Sequence, residues 1–273
     1  MTADELIRVA LKEDIGFGDV TSEAICGEND ITEGILWAKE DLVVAGGDIF
    51  AKVFAVLDSR VSINFFFRDG DKVNKNTKIA VVHGPTRALL AGERVALNFL
   101  QHLSGIATQT SFYVNAVGSY PVTIVDTRKT IPGMRLLEKY AVKVGGGKNH
   151  RHGLADLILI KDNHIKVAGG VVAAVNKVRQ SNSPYLKIEV EVETLAQVHE
   201  AMDAGVDIIM LDNMELDAIK NAVIEIDGRA LVEVSGNVTL ARVSQLAATG
   251  VDIISSGALT HSVVAADISL RLI

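Results

Sequence analysis

Between Asp126 and Lys166 the chain gathers nine lysines and arginines against four acids, a balance of +5 in a protein of formal charge −7. The remainder therefore carries −12. A cationic island in an acidic chain suits a small, highly charged anion. Its members do not all read alike. Arg135, Lys139 and Lys143 recur at i, i+4 and i+8, which on a helix makes one solvated stripe. Arg128, Lys129, Arg151 and Lys161 instead sit beside Gly, Asn and His at the ends of apolar runs, where loops leave a scaffold. Those four are candidates for chemistry.

The acids that could answer them lie downstream. Glu189, Glu191 and Glu193 alternate with Ile188, Val190 and Val192, so on a strand the carboxylates share one face. Buried carboxylates are costly unless paired or bound to a metal. Glu189 reads equally as part of an internal salt-bridge layer with Lys161 or Lys187. Glu191 falls nearer the strand's C-terminal end and, with Asp212, offers oxygen ligands of the kind Mg²⁺ prefers. VSGNV and SSGAL place Ser235, Gly236 and Asn237, then Ser256 and Gly257, after two apolar runs. Glycine there lets backbone N–H groups approach a phosphate, although either Ser-Gly alone could be a helix cap. GGGKNHRHG carries His150, Arg151 and His152 without the spacing of a zinc site. Arg151 reads better as a fork for a carboxylate or phosphate. Lys161 could alternatively form a Schiff base. His83, His102 and His199 are read as non-catalytic. No Ser/His/Asp hydrolase motif, Walker loop or dinucleotide fingerprint is present.

The elements that must position these residues change character along the chain. ADELIRVALKED (3–14) has a helical face. Residues 31 to 82 alternate short strand-like runs with turns, around a helix at 49–58, and predict a small α+β unit with an antiparallel sheet. Residues 86 to 117 are helical, with Leu90, Leu97, Leu100 and Leu103 on a buried face and Gly105 as a break or bend. After Pro121, six apolar runs each precede a helix-like segment: 122–126, 157–161, 188–192, 208–212, 230–234 and 252–255. ADLILIKDN, VDIIMLDN and VDIISSG share one plan. Repeated β-α units of this kind predict a TIM-like (β/α) barrel. Six strands do not make an eightfold barrel, and a doubly wound open sheet is the alternative. Asp126-Thr127-Arg128-Lys129, Lys161, Glu191, Asp212, Ser235 and Ser256 then all fall at C-terminal strand ends, which converge on one mouth in a barrel.

Composition narrows the function. The acidic balance argues against nucleic acid as the main partner. One cysteine, Cys26, excludes an internal disulfide and suits a reducing compartment. The first residues carry charges throughout, unlike a signal peptide, and no run of 18 apolar residues could span a membrane. A cytoplasmic protein is expected.

DTRKTIPGMRLLEKYAVKVGGGKNHRHGLADLILIKDNH closely resembles the signature of the quinolinate phosphoribosyltransferase family. The likeness continues through LKEDIGFGDVTSEAI, ERVALNFLQHLSGIAT, EVEVET, IIMLDN, VEVSGN and SSGALTHS. Ile131 stands where a second Thr is frequent, and Lys148 where an apolar residue is common. The resemblance implies an N-terminal α/β sandwich at 1–104, with 263–273 returning to it, and an incomplete barrel at 105–262. It implies transfer of phosphoribosyl from phosphoribosyl pyrophosphate to quinolinate with Mg²⁺, giving nicotinate mononucleotide, pyrophosphate and CO₂. Arg94, Arg128, His150, Arg151 and Lys161 would hold the pyridine dicarboxylate. Arg94 would reach into a neighbouring subunit's site, which implies a homodimer with shared sites or a hexamer. Lys129, Lys161, Glu191 and Asp212 would meet the phosphoribosyl group, pyrophosphate and metal. Thr127, Ser235, Gly236, Asn237, Ser256, Gly257, Ala258 and His261 would complete the substrate contacts, the Ser-Gly loops and His261 around the 5′-phosphate.

Three rivals stand beside this reading. A sister group associated with molybdenum uptake keeps much of the fold, and the arginine of HRHG with the pair in DTRKT argues for the dicarboxylate instead. A Schiff-base aldolase would use Lys161 as its amine. A phosphoribosyl-sensing regulator would need the phosphate site but not Glu191.

Overall fold

The alternating runs of the first third become an antiparallel sheet in the computed structural model, which describes residues 2–273 in two units. The first unit takes the chain up to Ser111, then Ile131–Gly146 and Ser262–Ile273. Its four-stranded sheet runs in the order Ile268–Leu272, Ile31–Ala38, Lys78–Pro85, Ser62–Phe65, with every neighbour antiparallel. The helix Ala3–Ile15 starts at a reciprocal cap. Glu5 N–H donates to Thr2 Oγ1, Thr2 N–H donates to Glu5 Oε2, and two otherwise orphaned donors are satisfied. The helix Gly47–Leu57 buries Phe50 and Phe54, whose rings meet edge to face 5.2 Å apart. Its first N–H groups lack a side-chain cap of their own. Asp69 serves instead, accepting from Gly46 N–H at 2.8 Å and Gly47 N–H at 3.1 Å, and Tyr140 Oη donates to the same carboxylate at 2.6 Å.

Two expectations for this unit need correction. The helix Thr86–Val117 runs through Gly105 without a break, and Leu89 rather than Leu90 leads its buried face. Gly105 is there for close approach: a Cβ would lie 2.3 Å from Val264 O and 3.2 Å from Ala265 Cα. Gly105→Ala must therefore displace backbone rather than a side chain. We expect a loss of about 2–3 kcal/mol in chemical unfolding, typical of overpacking. The second correction concerns the helix Arg135–Val144. Lys139 is fully buried, together with Glu138, while Leu136 and Tyr140 are exposed. Glu138 Oε1 is 2.8 Å from His102 Nε2, and Glu138 Oε2 accepts from Ile131 N–H at 3.2 Å. Glu138 and Lys139 are turned inward while Lys143 stays exposed, so Arg135, Lys139 and Lys143 form no continuous solvated stripe.

The second unit comprises Phe112–Thr130 and Gly147–His261. Its six strands are all parallel, in the order Thr123–Val125, Ile253–Ser255, Leu231–Ser235, Ile208–Asp212, Ile188–Val192, Ile158–Ile160. That order decides between the two α/β alternatives. Five strands follow chain order and the first pairs with the last. A doubly wound sheet would reverse direction at a switch point, whereas a cylinder keeps a cyclic order. Among the described residues no ladder joins Thr123–Val125 to Ile158–Ile160, so the barrel is incomplete. Helices Val171–Ser181, Leu195–Asp203, Leu216–Ile226 and Leu240–Ala247 bury Val175, Val198, Ile219 and Val243.

The echo between VDIIMLDN and VDIISSG has a structural cause. Asp207 Oδ2 accepts from Ile188 N–H, and Asp252 Oδ2 accepts from Val232 N–H, each at 2.8 Å. Each aspartate ties the start of its own strand to the neighbouring one, at the end opposite the reactive residues. No helix among the described residues is long and apolar enough to cross a membrane.

Candidate active site

At the C-terminal ends of the six parallel strands lies a cavity of about 790 Å³. Thr127, Arg128 and Lys129 enter it after Thr123–Val125, and Lys161 after Ile158–Ile160. Glu191 and Asp212 project from Ile188–Val192 and Ile208–Asp212. Ser235, Gly236 and Asn237 follow, then Ser256, Gly257, Ala258 and His261, with His150 and Arg151 from the glycine-rich loop. Fifteen of the sixteen residues singled out from the sequence thus line one cavity. Arg94 does not: it is exposed on the helix Thr86–Val117 of the first unit. Arg135, Lys139, Lys143, Lys148 and Lys166 also lie outside it, so the cationic run serves more than one purpose. Glu193 is exposed beyond its strand's end and does not share the inward face.

One side of the cup is cationic. Arg151 Nη1 donates to Leu157 O at 3.2 Å. Burial pulls its guanidinium pKa down, the nearby charge of Arg128 adds to this, and Glu189 and Asp156 oppose it. Two guanidinium groups held this close in a partly dry site favour an anion between them. Lys161 Nζ pairs with Glu191 Oε2. A lysine engaged with a carboxylate in this way suits a charge-stabilising role better than that of a Schiff-base amine.

The other side is shaped by glycine. Gly236 has φ +81°, and a Cβ there would fall 2.2 Å from Asn213 Oδ1. Asn213, itself at φ +53°, donates from Nδ2 to Asp212 Oδ2 at 3.0 Å. A Cβ on Gly257 would meet Lys129 Cδ at 2.8 Å and His261 Cδ2 at 2.9 Å. Thr260 Oγ1 donates to Lys129 O at 2.7 Å and so fixes the loop bearing the cation. Ser256 is buried, and its hydroxyl turns to Val238 O at 3.4 Å.

Beneath the cup lie three buried acids, of which only Glu233 went unread in the sequence. Asp126 is fully buried; it accepts from His150 N–H at 2.9 Å and from Asn149 Nδ2 at 2.6 Å. Glu189 and Glu233 are buried beside the His150 ring, with Nε2 3.1 Å from Glu189 Oε2 and 3.7 Å from Glu233 Oε1. The expected partners of Glu189 are elsewhere, Lys161 being paired with Glu191 and Lys187 exposed. The signal for Glu233 was available: LVEVS repeats the inward acid of IEVEV on the next strand but one.

Burial first, and then the charge of Glu189, push Glu233 up to about 7, against the pull of His150, Ser255 and Lys161. An unfolded Glu titrates near pH 4.3, so folding gains a proton between those two values. The stability contribution is full below about pH 4.3 and disappears as pH rises through 7, a change on the order of 3 kcal/mol. Glu233→Gln should flatten that slope in urea unfolding measured between about pH 4.5 and 7.5. An unaltered slope would assign the proton elsewhere.

Comparisons with known proteins cover nearly the whole chain. Residues 106–271 match the description "Quinolinate phosphoribosyl transferase, C-terminal domain", and residues 19–104 match the corresponding N-terminal domain. A quinolinate phosphoribosyltransferase (decarboxylating) 1b of Nicotiana tabacum is 46% identical over 98% of this chain and 81% of its own. A chloroplastic nicotinate-nucleotide pyrophosphorylase (carboxylating) of Arabidopsis thaliana is 44% identical over 98% of this chain and 82% of its own. The crystal structure of NadC from Streptococcus pyogenes superposes with a TM-score of 0.96 at 45% identity, covering 99% of this chain and 96% of that one.

Proposed function

The chain belongs to the quinolinate phosphoribosyltransferase family, and we propose a division of labour within its cup for the reaction it performs. That reaction moves a phosphoribosyl group from phosphoribosyl pyrophosphate to quinolinate with decarboxylation, and yields nicotinate mononucleotide, pyrophosphate and CO₂. The observation that carries the assignment is the meeting of Arg128, Arg151 and Lys161 with two glycine-lined Ser-Gly loops in one cavity. The cationic side takes the two carboxylates of quinolinate, with His150 beside them. The loops at Ser235–Asn237 and Ser256–Ala258, with His261, take the 5′-phosphate through backbone N–H groups. Lys129 faces the pyrophosphate.

Glu191 and Asp212 answer the charge that develops when pyrophosphate departs and the ribosyl carbon becomes electron-poor. Their oxygens are also suitable for Mg²⁺, because one or two carboxylates leave most ligand positions to substrate. When bound, that ion would neutralise the leaving pyrophosphate. The ring nitrogen of quinolinate then bonds to the ribosyl carbon and becomes cationic. As CO₂ leaves, the electron pair of the C2–carboxylate bond stays on C2, stabilised by the adjacent cationic nitrogen, and C2 then takes a proton. The protein's part is to hold the ring in line and to keep compensating charge in place. No side chain need act as a covalent nucleophile.

The test is turnover. Protein supplied with Mg²⁺, quinolinate and phosphoribosyl pyrophosphate should release one CO₂ for each nicotinate mononucleotide; nucleotide formed without CO₂ would reject the reading. We further propose a cytoplasmic homodimer, in keeping with the free thiol of Cys26, in which exposed Arg94 completes a partner's quinolinate site. Mixing Arg94→Ala with Lys129→Ala should restore activity in hybrid dimers, about a quarter of wild type per site pair if exchange is statistical. No recovery after proven subunit exchange would count against sharing.

A further inference from the structure

Glu189 and Glu233 have no part in the reaction as set out above, yet they sit directly under its cationic half. Glu189 Oε1, Glu189 Oε2 and Glu233 Oε1 are buried and have no hydrogen-bond partner of acceptable geometry. His150 Nε2 nevertheless lies close by, 3.1 Å from Glu189 Oε2 and 3.7 Å from Glu233 Oε1. Buried, unsatisfied carboxylate oxygens are expensive, and each one calls for an account.

The His150 ring supplies it. At its other edge, Nδ1 accepts the backbone N–H of Arg151 at 2.7 Å. Nδ1 must therefore keep its lone pair. Nε2 lies 3.1 Å from the Glu189 carboxylate, an acceptor, so it carries the hydrogen. Both edges demand the same placement of hydrogen, on Nε2 and not on Nδ1. The same arrangement speaks against an ion among His150, Glu189 and Glu233, although the three could reach one. Coordination through Nε2 would move the hydrogen to Nδ1, against the N–H of Arg151.

We propose that Glu189 and Glu233 are positioning residues for the quinolinate half of the cup. From beneath, they hold His150 with Nε2–H toward them, so that Nδ1 anchors the backbone of Arg151 and fixes where its guanidinium reaches. Asp126 secures the same loop through His150 N–H and Asn149, so three buried acids underlie one cationic rim. The role rests on the reaction proposed above, since the substrate affected is the dicarboxylate. Glu191, two residues along the strand from Glu189, faces the cup instead and pairs with Lys161.

Two measurements test this. In the ligand-free full chain, ¹⁵N-labelled imidazole spectra, assigned with His150→Gln, should show hydrogen on Nε2 and a bare Nδ1. Glu189→Leu should lose that fixed tautomer. In kinetics, Glu189→Leu should raise KM for quinolinate by roughly tenfold or more, as loss of an outer hydrogen-bond partner does at other histidine sites. KM for phosphoribosyl pyrophosphate should stay within about twofold. Glu189→Gln, which keeps an acceptor oxygen, should recover part of the loss. Hydrogen on Nδ1 in the wild type, or equal change in both KM values, would overturn the proposal. A variant that failed to fold would leave the wild-type spectrum to decide. Wild-type protein without turnover would reject the reaction, while the ring spectra would still judge the clamp.

Discussion

Arg151→Ala is expected to raise KM for quinolinate by roughly two to four orders of magnitude, with KM for phosphoribosyl pyrophosphate changed by less than about threefold. The magnitude follows from what is lost. A guanidinium facing a carboxylate makes charge-assisted hydrogen bonds of about 1.5–3 kcal/mol each, and a fork makes two. Before substrate arrives, burial and Arg128 both oppose the charge of Arg151, only partly offset by Glu189 and Asp156. A dianion relieves that repulsion, so the attraction is greatest for the substrate that brings two carboxylates to this side. Arg151→Lys should recover little, because a point charge on a flexible stem neither matches a carboxylate plane nor keeps the bond to Leu157 O. Steady-state kinetics with each substrate varied in turn would decide. Equal loss for both substrates would mean that Arg151 supports the cup as a whole.

Glu191→Gln should lower kcat by roughly 10²–10³-fold, about 3–4 kcal/mol, and leave both KM values nearly unchanged. The substitution keeps shape and removes charge. Glu191 is mostly buried and tied to Lys161, so it cannot drift out of register. Its negative charge matters most when the ribosyl carbon is cationic, which occurs only near the transition state. An amide would leave Lys161 without its counter-ion at that moment and add repulsion where attraction is needed. Single-turnover rates at saturating substrate isolate this step from product release. Turnover within about twofold of wild type would remove Glu191 from the chemistry.

The parts of this fold that were legible in the sequence are those set by local chemistry. Runs such as IEVEV and IIMLD carry a strand's period, and the strands Ile188–Val192 and Ile208–Asp212 lie where those runs do. Reactive residues at strand ends could be placed in one mouth because a parallel cylinder has only one C-terminal rim. What was not legible depends on covering. Helical spacing puts Lys139 on a stripe with Arg135 and Lys143, but spacing says nothing about what packs over that stripe. Gly105 looks like a weak point in a helix until the chain segment at Val264 is seen against it. Alternation puts Glu189 inside, yet its partner is a histidine 39 residues back in sequence, brought there by a loop whose path no periodicity encodes.

The division of the cup into a dicarboxylate side and a phosphate side is tested most directly by a crystal structure with quinolinate and Mg²⁺ bound. The account predicts both carboxylates against Arg128, Arg151 and Lys161, with the ring nitrogen turned toward Glu191 and Asp212. A ring lying over Ser235–Asn237, with its carboxylates on the glycine loops, would contradict it.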